Sequence, residues 1–237
     1  MNCIALETSS ETLHLALQTE KNFYAETRTM GRKFSEELVP RMKILCEQAD
    51  ISLSELDLIV CTNGPGSFTG LRVGMAAAKG IALAAHIPLV SLSTMEIMAY
   101  PLSLVDIPVL TVLDAKKQRY YTALFQKGVR VTPDKDLQIH EIGELVTPFS
   151  EILVTGPDAQ VVIQGLSDEV TKHAAPPKFY LDPLRYRNYG ESMILLGKLL
   201  LNTQGPDDIG SGPTYIRKSD AEVSLEEKNA KQTPKEV

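Results

Sequence analysis

The segment Asn63-Gly64-Pro65-Gly66-Ser67-Phe68-Thr69-Gly70-Leu71-Arg72-Val73-Gly74 sets a glycine-rich turn between an apolar run and an alanine-rich stretch. Such a turn ahead of a helix can cradle phosphate with backbone N–H groups and the positive helix end. Three familiar versions of that chemistry fail on spacing. A Walker A loop needs Gly-Lys-Ser/Thr, and here Leu71 follows Gly70. The dinucleotide fingerprint is one residue too long between Gly66 and Gly70. A nucleophile elbow needs glycine two residues either side of Ser67, where Pro65 and Thr69 stand. The plainer reading, favoured by spacing alone, is a structural turn built on Gly64, Gly66 and Gly70, with Ser67 or Thr69 capping the helix.

Two further places carry polar groups. Glu7, Thr8 and Ser9 follow the apolar Cys3-Ile4-Ala5-Leu6, where a nucleotide phosphate or Mg²⁺ could be held. No lysine or second acid is near in sequence, so a Ser/Thr turn also accounts for them. Asp114, at the end of a second apolar run, is either a partner acid across a cleft or a turn residue. Glu7, Thr8, Ser9 and Asp114 thus form the candidate remnant of a nucleotide site. Three cysteines and four histidines are scattered without the spacing of a metal site or a disulfide framework, so no metal or other cofactor is expected. Cys61 reads as a small buried apolar side chain.

The elements that would position these groups follow from periodicity. Residues 3–6, 13–19 and 23–27 read as strands joined by polar turns. Phe34, Leu38, Met42, Leu45 and Ala49 recur at helical spacing and predict a first helix over 35–49. A buried strand at 58–61, a second helix at 69–85 and a strand at 88–92 complete an alternation that argues for parallel pairing in an α/β sheet. Strands at 109–113, 120–125 and 152–155 and a helix at 189–201 follow. The second half begins as the first does, a hint of duplication. Residues from 221 onward are polar, without aromatics, and are expected to be disordered in isolation.

The second helix is apolar nearly all round, with Arg72 and Lys79 its only charges. A surface helix of a monomer carries one polar face, so this one is either wholly buried or packed against another molecule. Net charge is −6, from 24 basic and 30 acidic residues. That balance is unlike a chain that grips nucleic acid by itself. No stretch has the length of a spanning helix and the N-terminus lacks a basic leader, so a cytoplasmic protein without a membrane anchor is expected.

Gly64 to Gly74 closely resembles the signature of the bacterial TsaB (YeaZ) family of tRNA threonylcarbamoyladenosine biosynthesis proteins. Supporting pieces stand in order: Ala5-Leu6-Glu7-Thr8-Ser9, Phe34-Ser35-Glu36-Glu37-Leu38-Val39-Pro40, Ile87-Pro88-Leu89-Val90, Asp114-Ala115-Lys116-Lys117 and Pro213-Thr214-Tyr215-Ile216-Arg217. Glu7 replaces the family's usual Asp, and Phe34 its usual His. The resemblance implies an actin-like α/β fold of the sugar-kinase and heat-shock-chaperone ATPase superfamily with two related lobes, expected at 1–105 and 106–220. It implies a non-catalytic scaffold subunit that pairs with the transferase paralogue TsaD, works with the ATPase TsaE, and meets tRNA only through the complex. Whether a homodimer forms without TsaD is left open by the sequence. The paralogue's two metal-binding histidines correspond to Thr94 and Met98 here, neither of which offers an imidazole. The resemblance also places the subunit contact on the first two helices, with Leu38, Met42, Leu45, Leu71, Met75 and Ala78 as expected anchors. The alternative is a nucleotide-dependent enzyme working in the cleft of such a fold.

Overall fold

The computed structural model describes residues 1–31, 34–170 and 176–217. Strands β1 (Cys3–Glu7), β2 (Thr12–Gln18) and β3 (Phe23–Thr29) form an antiparallel meander. Helix α1 (Phe34–Gln48) leads to β4 (Leu58–Gly64), and α2 (Phe68–Ala85) to β5 (Leu89–Ser93). Both strands pair parallel, giving the order β3-β2-β1-β4-β5. A short helix, α3 (Thr94–Ala99), then carries the chain to a second sheet.

That sheet repeats the plan. Antiparallel β6 (Val109–Asp114), β7 (Arg119–Gln126) and β8 (Val129–Arg130) are followed by β9 (Lys135–Gln138), which shares the outer edge of β7. Helix α4 (Ile139–Val146), parallel β10 (Glu151–Thr155), α5 (Ala159–Val170) and parallel β11 (Lys178–Leu181) complete it. Read from the meander edge, β8-β7-β6-β10-β11 matches the first sheet strand for strand. Even the turn after the fourth strand of each order recurs. Gly64-Pro65 follows β4 and Gly156-Pro157 follows β10, with glycine φ of 119° and 105°. The fold is an α/β architecture of two sheets in which the second repeats the strand plan of the first.

Strand alternation builds three apolar layers. Ile4, Leu6, Ile59 and Cys61 point to α1 and α2, while Cys3, Ala5, Leu58 and Val60 point to the centre. In the second sheet Leu110, Val112 and Val154 meet α4 and α5, while Val109, Leu113 and Ala123 face the centre. The middle layer holds α3 and the last helix, α6 (Gly190–Gln204). Here one expectation is corrected. Helix α6 belongs by sequence to the second half, yet it packs on β1, β2, β4 and β5 of the first sheet, where Gly197 leaves room for Val60. The expected 106–220 lobe is therefore not a contiguous unit, because α6 fills the apolar inner face of the opposite sheet. Sequence patterning also passed over α3, α4, α5, β8, β9 and β11. The segment 221–237 lies outside the described residues.

Candidate functional site

Two polar turns and the glycine turn face one another between the lobes around a cavity of about 440 Å³. The first turn joins β1 to β2. Glu7 and Thr8 are buried and do not line the cavity, whereas Ser9, Ser10 and Glu11 do. The Glu7 carboxylate turns back into its own loop, Oε1 accepting the Ser9 N–H at 2.5 Å. Its other oxygen lies 3.9 Å from His14 Nε2, the residue registered opposite on β2. Burial pushes the Glu7 carboxyl up to about 7 and the His14 imidazole down to about 4, because a charge in so dry a place is costly. The Tyr189 ring closes the site edge-on to His14 at 5.1 Å.

The glycine turn is built by close approach. Ser67 N–H donates to Ser9 O at 2.6 Å. A Cβ at Gly66 would fall 2.4 Å from Ser9 O, at Gly70 2.0 Å from Thr8 O and at Gly74 2.1 Å from Thr8 Oγ1. The Gly66 requirement is thus one of space, and the left-handed conformation falls to Gly64. Ser67 caps α2, its Oγ accepting the Gly70 N–H at 3.3 Å. The amides of Ser9, Ser67 and Gly70 at these two turns have partners inside the chain.

On the opposite wall Asp114 ends β6. Its N–H donates to Asp158 Oδ2 at 2.8 Å, and its Oδ1 accepts the Lys116 N–H at 2.7 Å. Lys116 Nζ lies 2.9 Å from Asp114 Oδ2 and reaches across the cleft to within 3.6 Å of Glu11 Oε1. Hydrogen bonding to Asp114 holds the Lys116 ammonium above its usual range, and burial raises the Asp158 carboxyl. Lys116, Lys117 and Gln118 have φ of 63°, 56° and 59°. Three consecutive non-glycine residues in the left-handed region are costly. Ser9 and Asp114 are therefore brought to one cleft, while Glu7 and Thr8 are not. Asp158 was missed by sequence reasoning, and the repeated Gly-Pro turn before it was the signal.

The six expected anchors are not on the surface. Leu38, Met42, Leu45, Leu71, Met75 and Ala78 are all buried within this chain, at 0–4 % exposure. Leu38, Met42, Leu45, Met75 and Ala78 form the inward stripe of α1 and α2 over the first sheet, because the sheet's own Ile4, Leu6 and Ile59 need that cover. The outward faces carry other residues. On α2 the exposed residues include Arg72, Ala76, Gly80, Leu83 and Ala84, with Val73 and Ala77 half-buried beside them against the core. On α1 they include Val39 and Ile44, 44 % and 41 % exposed. Both charges of α2 are drawn aside: Arg72 Nε donates to Tyr215 Oη at 2.8 Å, and Lys79 to the Ser211 carbonyl. Gly80 is unlike the other α2 glycines, since a Cβ there would meet nothing within 4 Å.

The α3 residues expected at the paralogue's histidine places, Thr94 and Met98, are buried as well, Met98 within the central layer. All three cysteines are buried, and burial pushes the Cys61 thiol up to about 12. Among the described residues no group of three or more His, Cys, Asp or Glu side chains is arranged to hold a metal ion. No helix of the described residues is long and apolar enough to cross a membrane.

The family model described as "TsaD: tRNA N6-adenosine threonylcarbamoyltransferase" matches residues 25–195. A Bacillus subtilis protein named "tRNA threonylcarbamoyladenosine biosynthesis protein TsaB" is 28% identical over 229 residues, 94% of this chain and 97% of the relative. The Escherichia coli protein of the same name is 29% identical over 54% of this chain and 56% of its own length. Among solved structures, YeaZ from Pseudomonas aeruginosa superposes with a TM-score of 0.72 at 20% identity, covering 90% of this chain and 100% of that one.

Proposed function

We propose, because this chain belongs to the TsaD family and its near-full-length relative carries the name TsaB, that it is the accessory subunit of tRNA threonylcarbamoyladenosine formation. In this reading it makes no catalytic contact of its own. It docks on a cognate TsaD-type transferase in the cytoplasm, through the outward faces of α1 and α2. It works with the ATPase TsaE, meets tRNA only within the assembly, and pairs with a second copy of itself when the transferase is missing.

The observation that carries the reading is Gly80. Glycine in a helix interior costs about 0.5–1 kcal/mol relative to alanine, and no described residue lies near enough to require it there. A helix from another molecule packing closely over Ala76 and Gly80 would account for it. The burial of Thr94 and Met98 supports the non-catalytic role, since neither side chain reaches the cleft to act on a substrate. The alternative, a nucleotide-dependent enzyme using the cleft, meets amides at Ser9 and Ser67 that are already engaged.

Reconstitution tests the role. Threonylcarbamoyl transfer to tRNA by the cognate TsaD and TsaE should require this chain, and this chain alone should transfer nothing. Transfer by the isolated chain, or transfer that is indifferent to its omission, would sink the proposal.

A further inference from the structure

Residues 205–217, after α6, do not trail away from the molecule. Asp207 anchors the segment to β5, its N–H donating to Leu89 O at 2.8 Å and its Oδ2 accepting the Ser91 N–H and hydroxyl at 2.9 and 2.5 Å. Lys79 of α2 holds Ser211, and Thr214 N–H donates to Asn63 O at 2.7 Å. The Tyr215 ring then stacks on Phe68, centroids 4.6 Å apart and planes 17° apart. Arg72 lies over both rings. Every one of these contacts is with the first lobe. Two residues later the segment crosses: Ile216 packs into the central layer, and Arg217 Nη1 donates to Ala115 O at 3.2 Å on the second lobe.

Ala115 immediately precedes the left-handed run Lys116-Lys117-Gln118. That run is closed by two internal bonds, Ala115 N–H to Arg119 O at 2.9 Å and Arg119 N–H to Lys116 O at 3.2 Å. Another link across the cleft mouth, Lys116 to Glu11, joins two exposed side chains, and such pairs contribute little. A backbone so far from its preferred region persists only where its surroundings hold it. Arg217 supplies such a hold from the opposite lobe.

We propose that residues 207–217 are an inter-lobe strap: anchored on β5 and α2, it clamps the strained turn at 115–119 through Arg217 and so sets the opening of the cleft. Phe68, Ser67 and Arg217 line that cleft together with Asp114 and Lys116, so the strap fixes the distance between its two walls. Because Arg72 and Lys79 lie on α2 beside its outward face, the strap also ties that face to the cleft.

Amide hydrogen exchange on the full-length chain tests this. In Arg217→Ala the Ala115 and Arg119 amides should exchange about tenfold faster, with the rest of β6 and β7 unchanged. A hydrogen bond from a charged donor is of that order. Arg217→Lys, which retains a donor, should restore most of the protection. Tyr215→Leu, which loosens the strap at its first-lobe anchor, should reproduce the Arg217→Ala pattern at the same two amides. Spin labels on Thr69→Cys and Gln118→Cys read the cleft directly, since the native thiols are buried, and their distance distribution should widen in both weakened variants. Unchanged exchange at 115–119 in Arg217→Ala and Tyr215→Leu, or faster exchange spread evenly over both lobes, overturns the proposal. So does an unchanged distance distribution.

Discussion

Substitution at Gly80 should separate what the isolated chain needs from what its partner needs. Nothing lies within 4 Å of a Cβ built there, so Gly80→Ala adds a methyl to open solvent. It removes the backbone freedom that glycine loses on folding, a gain of about 0.5–1 kcal/mol. For a chain of this size that raises the thermal midpoint by roughly 1–4 °C. Gly80→Leu is nearly as harmless to the isolated fold, since leucine is a good helix former. In a complex the same leucine would stand where a helix approaches closely, and overpacking costs about 1–3 kcal/mol. That corresponds to roughly 5- to 150-fold weaker binding. Circular dichroism melts of the free variants and calorimetric titration with the cognate TsaD-type transferase measure both effects. The reasoning is refuted if Gly80→Leu binds as tightly as the unaltered chain, or if Gly80→Ala melts lower.

The remaining expectations concern buried groups. Ala78→Arg should abolish folding outright, because Ala78 is fully buried over the first sheet and an unpaired charge there is prohibitive; a soluble, native-like spectrum would contradict the packing described. Gly66→Val should also fail to fold, having Ser9 O in the way of its Cβ, while Ser67→Ala should lose only a cap of about 0.5–2 kcal/mol by urea unfolding. The Glu7–His14 pair gives opposing pH dependences. Glu7, raised from 4.5 to about 7, loses the folded state roughly 3 kcal/mol as pH climbs through that window. His14, lowered from 6.5 to about 4, loses it a similar amount as pH falls. The two slopes cancel between about 4.5 and 6.5, so His14→Gln should become less stable as pH rises across that interval relative to the unaltered chain, and Glu7→Gln more stable. Parallel stability curves for all three proteins would rule this out.

How far the sequence carried the structure depended on what each pattern could encode. The first lobe was legible because Phe34, Leu38, Met42 and Leu45 keep a clean helical period and residues 3–6 and 58–61 are continuous apolar strands. The second lobe's helices were not. In α5, Ala159, Val162 and Leu166 form the buried stripe among the described residues, and Val161, Val162, Ile163 and Gly165 argue locally against a helix. The interface residues were misread for a different reason. Periodicity tells which side chains share a face, but not which face meets the sheet, and the stripe with the larger side chains was the one the sheet took. Gly80 shows the converse, since its meaning emerges only when the space above it is seen to be empty. The cleft was half legible: Ser9 and Asp114 were identified, but Lys116 is brought opposite Glu11 only by the pairing of the lobes. The strain at Lys116, Lys117 and Gln118 has no signature in side-chain type.

The central claim is the proposal that the outward face of α2, around Ala76, Gly80 and Leu83, docks on the cognate TsaD-type transferase. Size-exclusion chromatography of the two proteins mixed at equal concentration tests it most directly, run with the unaltered chain and with Ala76→Arg, an exposed position on that face. The unaltered chain should coelute with the transferase, and Ala76→Arg, folded by circular dichroism, should elute alone. Coelution of Ala76→Arg to the same extent as the unaltered chain would contradict the account.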